Sequence, residues 1–250
     1  MEIVIAFFVG VFGLVFGSFY NVVGLRVPKK ESIVAPPSHC TNCDRRLTAL
    51  DLVPVLSYVF LGGKCRTCGN KISWIYPLME LMTGVLFVFA YWQLGLSLEF
   101  AVALLFISLL VIIVVSDIAY MLIPNKVLLF FLPLIVIGRI LSPLEPWWDS
   151  VLGAVIGFGI LYIIAIVSKG GMGGGDIKLF FLLGLVLGSV NTLLTLFVAS
   201  VIGMIVGIVV LKARNQGRKT PVPFGPSIAL AAIIVYFYGE AMIDWYWSLM

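Results

Sequence analysis

Two aspartates stand where their neighbours would be expected to exclude them. Asp117 ends the apolar run Leu109-Leu110-Val111-Ile112-Ile113-Val114-Val115-Ser116, and Asp176 opens the segment that continues through Leu179-Phe180-Phe181-Leu182-Leu183. A carboxylate in a membrane-length apolar segment is costly, so each marks function by default. Five glycines precede Asp176, at positions 170, 171, 173, 174 and 175. Lacking Cβ, they let the backbone take unusual angles and let another chain come close. Two carboxylates brought together cannot both ionise cheaply: one keeps a proton while the other takes one from water. Such a pair suits general acid–base attack of water on a carbonyl. His39 is the only histidine, so a Ser-His-Asp or Cys-His arrangement has little to draw on.

The four cysteines form a second chemical group. Cys40-x-x-Cys43 and Cys65-x-x-Cys68 are separated by the stretch from Asp44 to Lys64. Paired CxxC knuckles at about this spacing suit four thiolates around one tetrahedral structural zinc. Two disulfides or a redox CxxC are the competing readings, and a cytosolic loop disfavours the former. His39, beside Cys40, is either a further ligand or a surface residue. With four thiolates in place the metal would have no open coordination position. Its role would be to fold a loop that lacks a core of its own.

The elements that must position these groups are membrane spans. The chain of 250 residues is 62% hydrophobic and 11% charged, against about 25% charged in soluble domains. A spanning helix needs about 20 mostly apolar residues. Segments at 3–23, 76–94, 98–117, 125–142, 149–167, 177–190, 191–211 and 225–243 qualify, with a very short turn at Gly188-Ser189-Val190-Asn191. The predicted fold class is thus an all-α polytopic membrane protein of about eight transmembrane helices, with a cytosolic four-cysteine loop between helices one and two. The first segment reads as a retained span, not a cleaved signal, because only Glu2 precedes it and its apolar run is long.

Charge placement sets the orientation, because Lys and Arg favour the cytoplasmic side. Arg26, Lys29, Lys30, Arg45, Arg46, Lys64, Arg66 and Lys71 fall in the first connection. Lys126, Lys169, Lys178, Lys212, Arg214, Arg218 and Lys219 fall on the same side, leaving only Arg139 opposite. Both termini are expected outside, with loop 24–75 in the cytosol and Asp117 and Asp176 at the same, inner leaflet. The basic run 212–219 abuts two spans. Orientation and contact with anionic lipid explain it better than nucleic-acid binding.

Gly17-Ser18-Phe19-Tyr20-Asn21-Val22-Val23 closes the first span, and Ser18 and Asn21 share a helix face. Small and polar residues there also suit helix packing. Glu80 lies just inside the second span, with Gly84 one turn deeper. It either lines a polar pocket or pairs with Arg26 or Lys71.

Taken together, these stretches resemble the prepilin peptidases, the bifunctional leader peptidases and N-methyltransferases of type IV pilus, type II secretion and competence systems. The resemblance rests on Gly17–Val23, both CxxC pairs, Tyr76-Pro77-Leu78-Met79-Glu80-Leu81, Asp117 with Ile123-Pro124-Asn125, Gly173-Gly174-Gly175-Asp176-Ile177-Lys178-Leu179, and Pro223-Phe224-Gly225-Pro226. It implies a bacterial inner-membrane aspartic protease of the GxGD kind, with Asp117 and Asp176 as the catalytic pair. Such enzymes cut the leader of a prepilin or pseudopilin after a glycine on the cytosolic side. Many then methylate the new amino terminus with S-adenosylmethionine. Ser18, Asn21, Glu80 and Gly84 are the candidates for that cofactor, and pilus or secretion machinery would be an indirect partner. Two domains are expected: 1–95, carrying the first two spans and the loop, and 96–250, the peptidase. The rivals are a presenilin-like intramembrane protease, and a transporter or channel using Asp117 and Asp176 as ion sites.

Overall fold

The structure, a computed structural model, describes residues 1–168, 172–214 and 222–248. Positions 169–171 of the glycine run and 215–219 of the basic run lie outside the described residues. The chain is all-helical, with no strand among the described residues. Its helices are α1 (Glu2–Arg26), α2 (Leu56–Phe60), α3 (Ile75–Leu94), α4 (Leu98–Tyr120), α5 (Asn125–Leu141), α6 (Asp149–Val167), α7 (Gly174–Leu187), α8 (Ser189–Arg214) and α9 (Gly225–Ser248). Each of the eight predicted spans is a helix, and α2 is a single turn inside the loop. Among the described residues, six helices are long and apolar enough to cross a membrane: α1, α3, α4, α6, α8 and α9. The other two, α5 and α7, have 17 and 14 residues. This is a polytopic helical membrane protein.

The chain forms two compact units, Met1–Val115 and Ser116–Met250, so the division falls within α4. In the first unit α1 lies on α3 through small residues. A Cβ at Gly13 would come within 2.8 Å of the Gly84 Cα, and one at Gly17 within 2.8 Å of the Glu80 Cα. Hydrocarbon gives helices no hydrophobic reason to associate, so close backbone approach through small residues is how they hold. Gly24 sits equally close to Val115 of α4. A buried bond between the Tyr20 hydroxyl and Ser108 Oγ, 2.5 Å long, crosses from α1 to α4.

In the second unit α6 lies against α7, with Gly153 and Gly157 facing the backbone at Gly184 and Phe180. Leu179, Phe180 and Leu183 of α7 are completely buried. That burial makes α7 the centre of the unit despite its length. Gly188 ends α7 with a left-handed φ of 78°, which glycine adopts at little cost. Asp149 of α6 then accepts the backbone N–H of Ser189 at 3.1 Å, capping α8. The buried Arg139 donates to the carbonyl of Val186 at 2.6 Å. It thus satisfies one of the carbonyls that the end of α7 leaves open.

Candidate active site

Asp117 occupies the last turn of α4 and is buried. The helix closes at Met121, whose φ of 51° is left-handed. Ser116 Oγ donates to the carbonyl of Leu122 at 2.5 Å, folding the turn back beneath Asp117. Ile123 and Pro124, both buried, carry the chain into α5. The Oδ2 of Asp117 accepts the backbone N–H of Gly225, the first residue of α9, at 2.7 Å. A helix N-terminus presents unpaired N–H groups and a partial positive charge, so α9 is aimed at this carboxylate. A Cβ at position 225 would meet Asp117 Oδ2 at 2.7 Å and its Cβ at 2.9 Å; no side chain fits there.

Asp176 lies in the first turn of α7, half-buried. Its carboxylate accepts the backbone N–H of Gly173, and it feels the charge of Asp117 directly. Two further contacts fix the start of α7 to the turn after α4. Gly175 presses on Ile123, whose Cβ would stand 2.7 Å from any Cβ at 175. Lys178 Nζ donates to Asn125 Oδ1 at 3.0 Å. The second unit therefore brings together the helix ends that carry the two aspartates, far apart in sequence. Glycines supply the clearance on both sides, Gly225 at one carboxylate and Gly175 beside the other.

The polar residues of the first unit group differently. Glu80, buried in α3, bonds to Ser18 of α1, and its Oε2 accepts the backbone N–H of Val55 at 2.7 Å. Glu80 thus takes a loop amide as its partner, while Arg26 donates to the carbonyl of Ser32. The Asn21 amide turns to the carbonyl of Tyr76 at 3.1 Å. Gly84 packs against Leu14 and the Gly10 carbonyl of α1. Ser18 also lines a cavity of about 250 Å³ with Val15, Phe19, Val22, Leu52 and Pro54. So Ser18 and Glu80 meet, Asn21 bonds one turn away, and Gly84 serves the helix contact.

The four thiols converge. Cys40, Cys43, Cys65 and Cys68 hold their sulfurs within 4.8 Å of one another, with Cys40–Cys68 at 3.7 Å and Cys43–Cys65 at 4.0 Å. Zinc–sulfur bonds of about 2.3 Å in a tetrahedron put sulfurs about 3.8 Å apart, so the cluster fits that ion. The two knuckles share one backbone plan. Asp44 N–H bonds the Cys40 carbonyl, and Gly69 N–H bonds the Cys65 carbonyl. Both closing residues are left-handed, with φ of 52° and 69°. Backbone N–H groups of Cys68 and Thr67 lower the Cys65 thiol from 9.0 to about 6, favouring the thiolate a metal needs. His39 turns to the carbonyl of Pro37.

Sequence reasoning missed four contributors. Gly225 acts through a backbone N–H, which no residue type advertises. Asn125 was visible only as part of a motif, and Lys178 as a membrane-side anchor. Asp51 takes Arg45, just after the first knuckle, at 2.8 Å and Arg66, inside the second, at 3.1 Å. Nothing in its local sequence foretells that bridge.

Fold and site describe a polytopic helical membrane protein with an acidic pair in one unit and a four-thiol cluster in the other. Residues 11–94 match the profile of the bacterial peptidase A24 N-terminal domain, and 104–208 that of the type IV leader peptidase family. A prepilin leader peptidase/N-methyltransferase of Bacillus subtilis is 45% identical over 236 residues, covering 94% of this chain and 95% of its own. Proteins of the same name from Aeromonas salmonicida and Pseudomonas aeruginosa are 33% and 31% identical, over 95% and 94% of this chain and 92% and 90% of theirs. No solved structure matches significantly. The chain belongs to the type IV leader peptidase family.

Proposed function

We propose that this protein is a membrane aspartic endopeptidase that cuts the leader from type IV prepilins or pseudopilins after a glycine, and that it methylates the amino terminus so created. Asp117 and Asp176 are the catalytic pair. The observation that carries this is that Gly175 on Ile123 and Lys178 on Asn125 bring the start of α7 to the turn after α4, with each aspartate accepting a backbone N–H there. The pair shares one proton. Its ionised member takes a proton from water as the water oxygen bonds the scissile carbonyl carbon, and its protonated member donates to the carbonyl oxygen. Collapse breaks the C–N bond: one hydroxyl of the intermediate returns its proton to the pair while the leaving amine takes up a proton from it, so the pair again holds one proton. The two carboxyls titrate as a unit, so the roles belong to the pair. The N–H of Gly225 holds Asp117 in one orientation, and the extended substrate passes over the glycines before Asp176.

We assign 96–250 to cleavage, and 1–95, with its loop 24–75, to the methyl donor. Ser18, Asn21, Glu80 and Gly84 are the donor-site residues; a carboxylate such as Glu80 suits a positively charged sulfonium. S-adenosylmethionine supplies an electrophilic methyl group, and the receiving amine gives up a proton. The four cysteines hold one structural zinc, with all four thiolates engaged. Basic residues concentrated in one set of connections put the loop and the acidic pair on the cytosolic face of a bacterial inner membrane. Membrane lipid surrounds the helices, and pilus or secretion machinery takes the product.

The test uses purified protein in nanodiscs with a prepilin carrying a Gly-Phe junction, read by mass spectrometry of the new amino terminus. The wild type should release the leader and add the mass of one methyl group. Asp117→Asn and Asp176→Asn should each lower cleavage by about a thousandfold or more. Full cleavage by either variant would sink the assignment. A transporter that uses these carboxylates for ions would leave the substrate whole.

A further inference from the structure

One stretch of the loop between α1 and α3 carries no charge. Between Asp51 and Lys64 the chain runs Leu-Val-Pro-Val-Leu-Ser-Tyr-Val-Phe-Leu-Gly-Gly, twelve residues from Leu52 to Gly63. An apolar run of about this length belongs either to a buried core or to a segment that dips into a bilayer and returns. It is not core here, because no residue from Leu52 to Gly62 is buried. Leu56, Val59 and Phe60 share one face of α2 and are 54%, 64% and 84% exposed.

The helices beside the stretch set its depth. Gly13 meets Gly84, Gly17 meets Glu80 and Asn21 bonds to Tyr76, so α1 and α3 run antiparallel in one constant register. Carried outward, that register sets Arg26 against Lys71, the charged residues at which the loop begins and ends. Both helices are long and apolar enough to cross a membrane, so this level is the boundary between lipid and water. Lys64 stands at the same level, because its backbone bridges to Lys71. Gly17, facing Glu80, lies nine residues before Arg26 on α1, which is about 13 Å beneath the boundary. Glu80 holds the Val55 N–H at 2.7 Å. Side chains tilt toward the start of their helix, which returns part of that depth and still leaves Val55 beneath the boundary. Leu52 and Pro54 line the cavity shared with Val15, Ser18, Phe19 and Val22, which also lie below Arg26 on α1.

We propose that Leu52–Gly63 is a re-entrant segment. It enters the bilayer beside α1 and α3, sets Leu56, Val59 and Phe60 among the acyl chains, and returns to the headgroups at Lys64. Lipid is what covers the apolar face of α2. The backbone is arranged for such a place, since hydrocarbon offers no partner to an open N–H group. The Val55 N–H goes to Glu80, and Pro54 has none to place. Those of Leu56, Ser57, Val59, Leu61, Gly62 and Gly63 stay within the stretch. The Tyr58 hydroxyl turns to the carbonyl of Ile72 at 3.4 Å. Arg26, Lys64 and Lys71 then gather where the segment surfaces, as anionic headgroups favour. The inference goes beyond the proposed activity and does not depend on it. It needs only that α1 and α3 span the membrane.

The test uses the full chain in nanodiscs of phosphatidylethanolamine and phosphatidylglycerol, in two arms. In the first, p-benzoylphenylalanine replaces Phe60 or, in a second variant, Val59. Val34, 82% exposed in the same loop, is replaced as the control. Light should give lipid adducts at 59 and 60 in about fivefold excess or more over 34. Adducts to a second copy, or lipid adducts no more frequent than at 34, would overturn the proposal. The second arm needs no substitution. Hydroxyl radicals generated in water should oxidise Val34 and spare Phe60, although an aromatic ring is intrinsically the faster to react. Oxidation of Phe60 as fast as that of Val34 would place the segment in water and overturn the proposal.

Discussion

Asp117 and Gly225 stand 108 residues apart and are joined by a hydrogen bond of 2.7 Å from backbone N–H to carboxylate. The bond places the start of α9 against the end of α4. It also removes any room for a side chain at position 225. Gly225→Ala should therefore push the Asp117 carboxylate aside without unfolding the helices. Misplacing a catalytic group by about 1 Å costs about a hundredfold. Steady-state cleavage should drop by about that much, with circular dichroism unchanged.

Gly175 makes the matching clearance at Ile123. Gly175→Ala would put a methyl group 2.7 Å from the Ile123 Cβ and lift the start of α7 from the turn that carries Asp117. Activity should fall about tenfold or more. Ile123→Ala in the same chain should restore part of it, and a double-mutant cycle on cleavage rates measures the coupling. Strict additivity would mean that the two residues do not touch in the working enzyme.

Glu80 tests the division of labour proposed for the two halves. Its carboxylate is held by Val55 N–H and Ser18 in the first unit. Glu80→Gln should lower methylation about tenfold or more and leave leader release within about twofold. Both are read from one mass spectrum of the product. Equal loss of both activities would show that Glu80 supports the fold and not a donor site.

The thiol cluster predicts one zinc per chain by elemental analysis. Removing it with a chelator should open the loop to protease while helix content persists, because a loop without a core folds only with its metal. Cys65→Ser should do the same without a chelator.

Asp51 adds a pH signature. The Thr48 backbone N–H, the Thr48 hydroxyl, Arg45 and Arg66 hold its carboxyl below the usual 3.8. A lowered value means stability that is present above the ordinary carboxylate range and lost as pH falls through the folded value. With the arginines partly exposed the bridge contributes about 1 kcal/mol at most. Asp51→Asn should make the loop more protease-sensitive at pH 7. The gap between variant and wild type should close below about pH 4.

Much of this could be read from residue types. Hydropathy located all eight long helices, because hydrocarbon admits few other spanning structures. The aspartates announced themselves by their cost in such a setting, and the cysteines by their spacing. Boundaries were harder. Residues 177–190 read as a span by hydropathy, yet α7 starts at Gly174 and stops at Leu187. Glycine is a poor helix former, so tertiary contact with Ile123 and the backbone partner of Asp176 decide where α7 begins. Backbone donors, such as the Gly225 N–H, have no sequence signature. Lys178 looked like any membrane-edge lysine until Asn125, 53 residues earlier, proved to be its partner.

The paired knuckles carry one more implication. Each is a five-residue loop with a cysteine at its first and fourth places and a left-handed residue at its fifth, Asp44 in one and Gly69 in the other. As parts they are interchangeable, so a chain with the two pentapeptides transposed should still bind one zinc. What tells the halves of the loop apart is Asp51, which reaches Arg45 just outside one pentapeptide and Arg66 inside the other, so the transposed chain would keep its zinc and lose that bridge as it now stands.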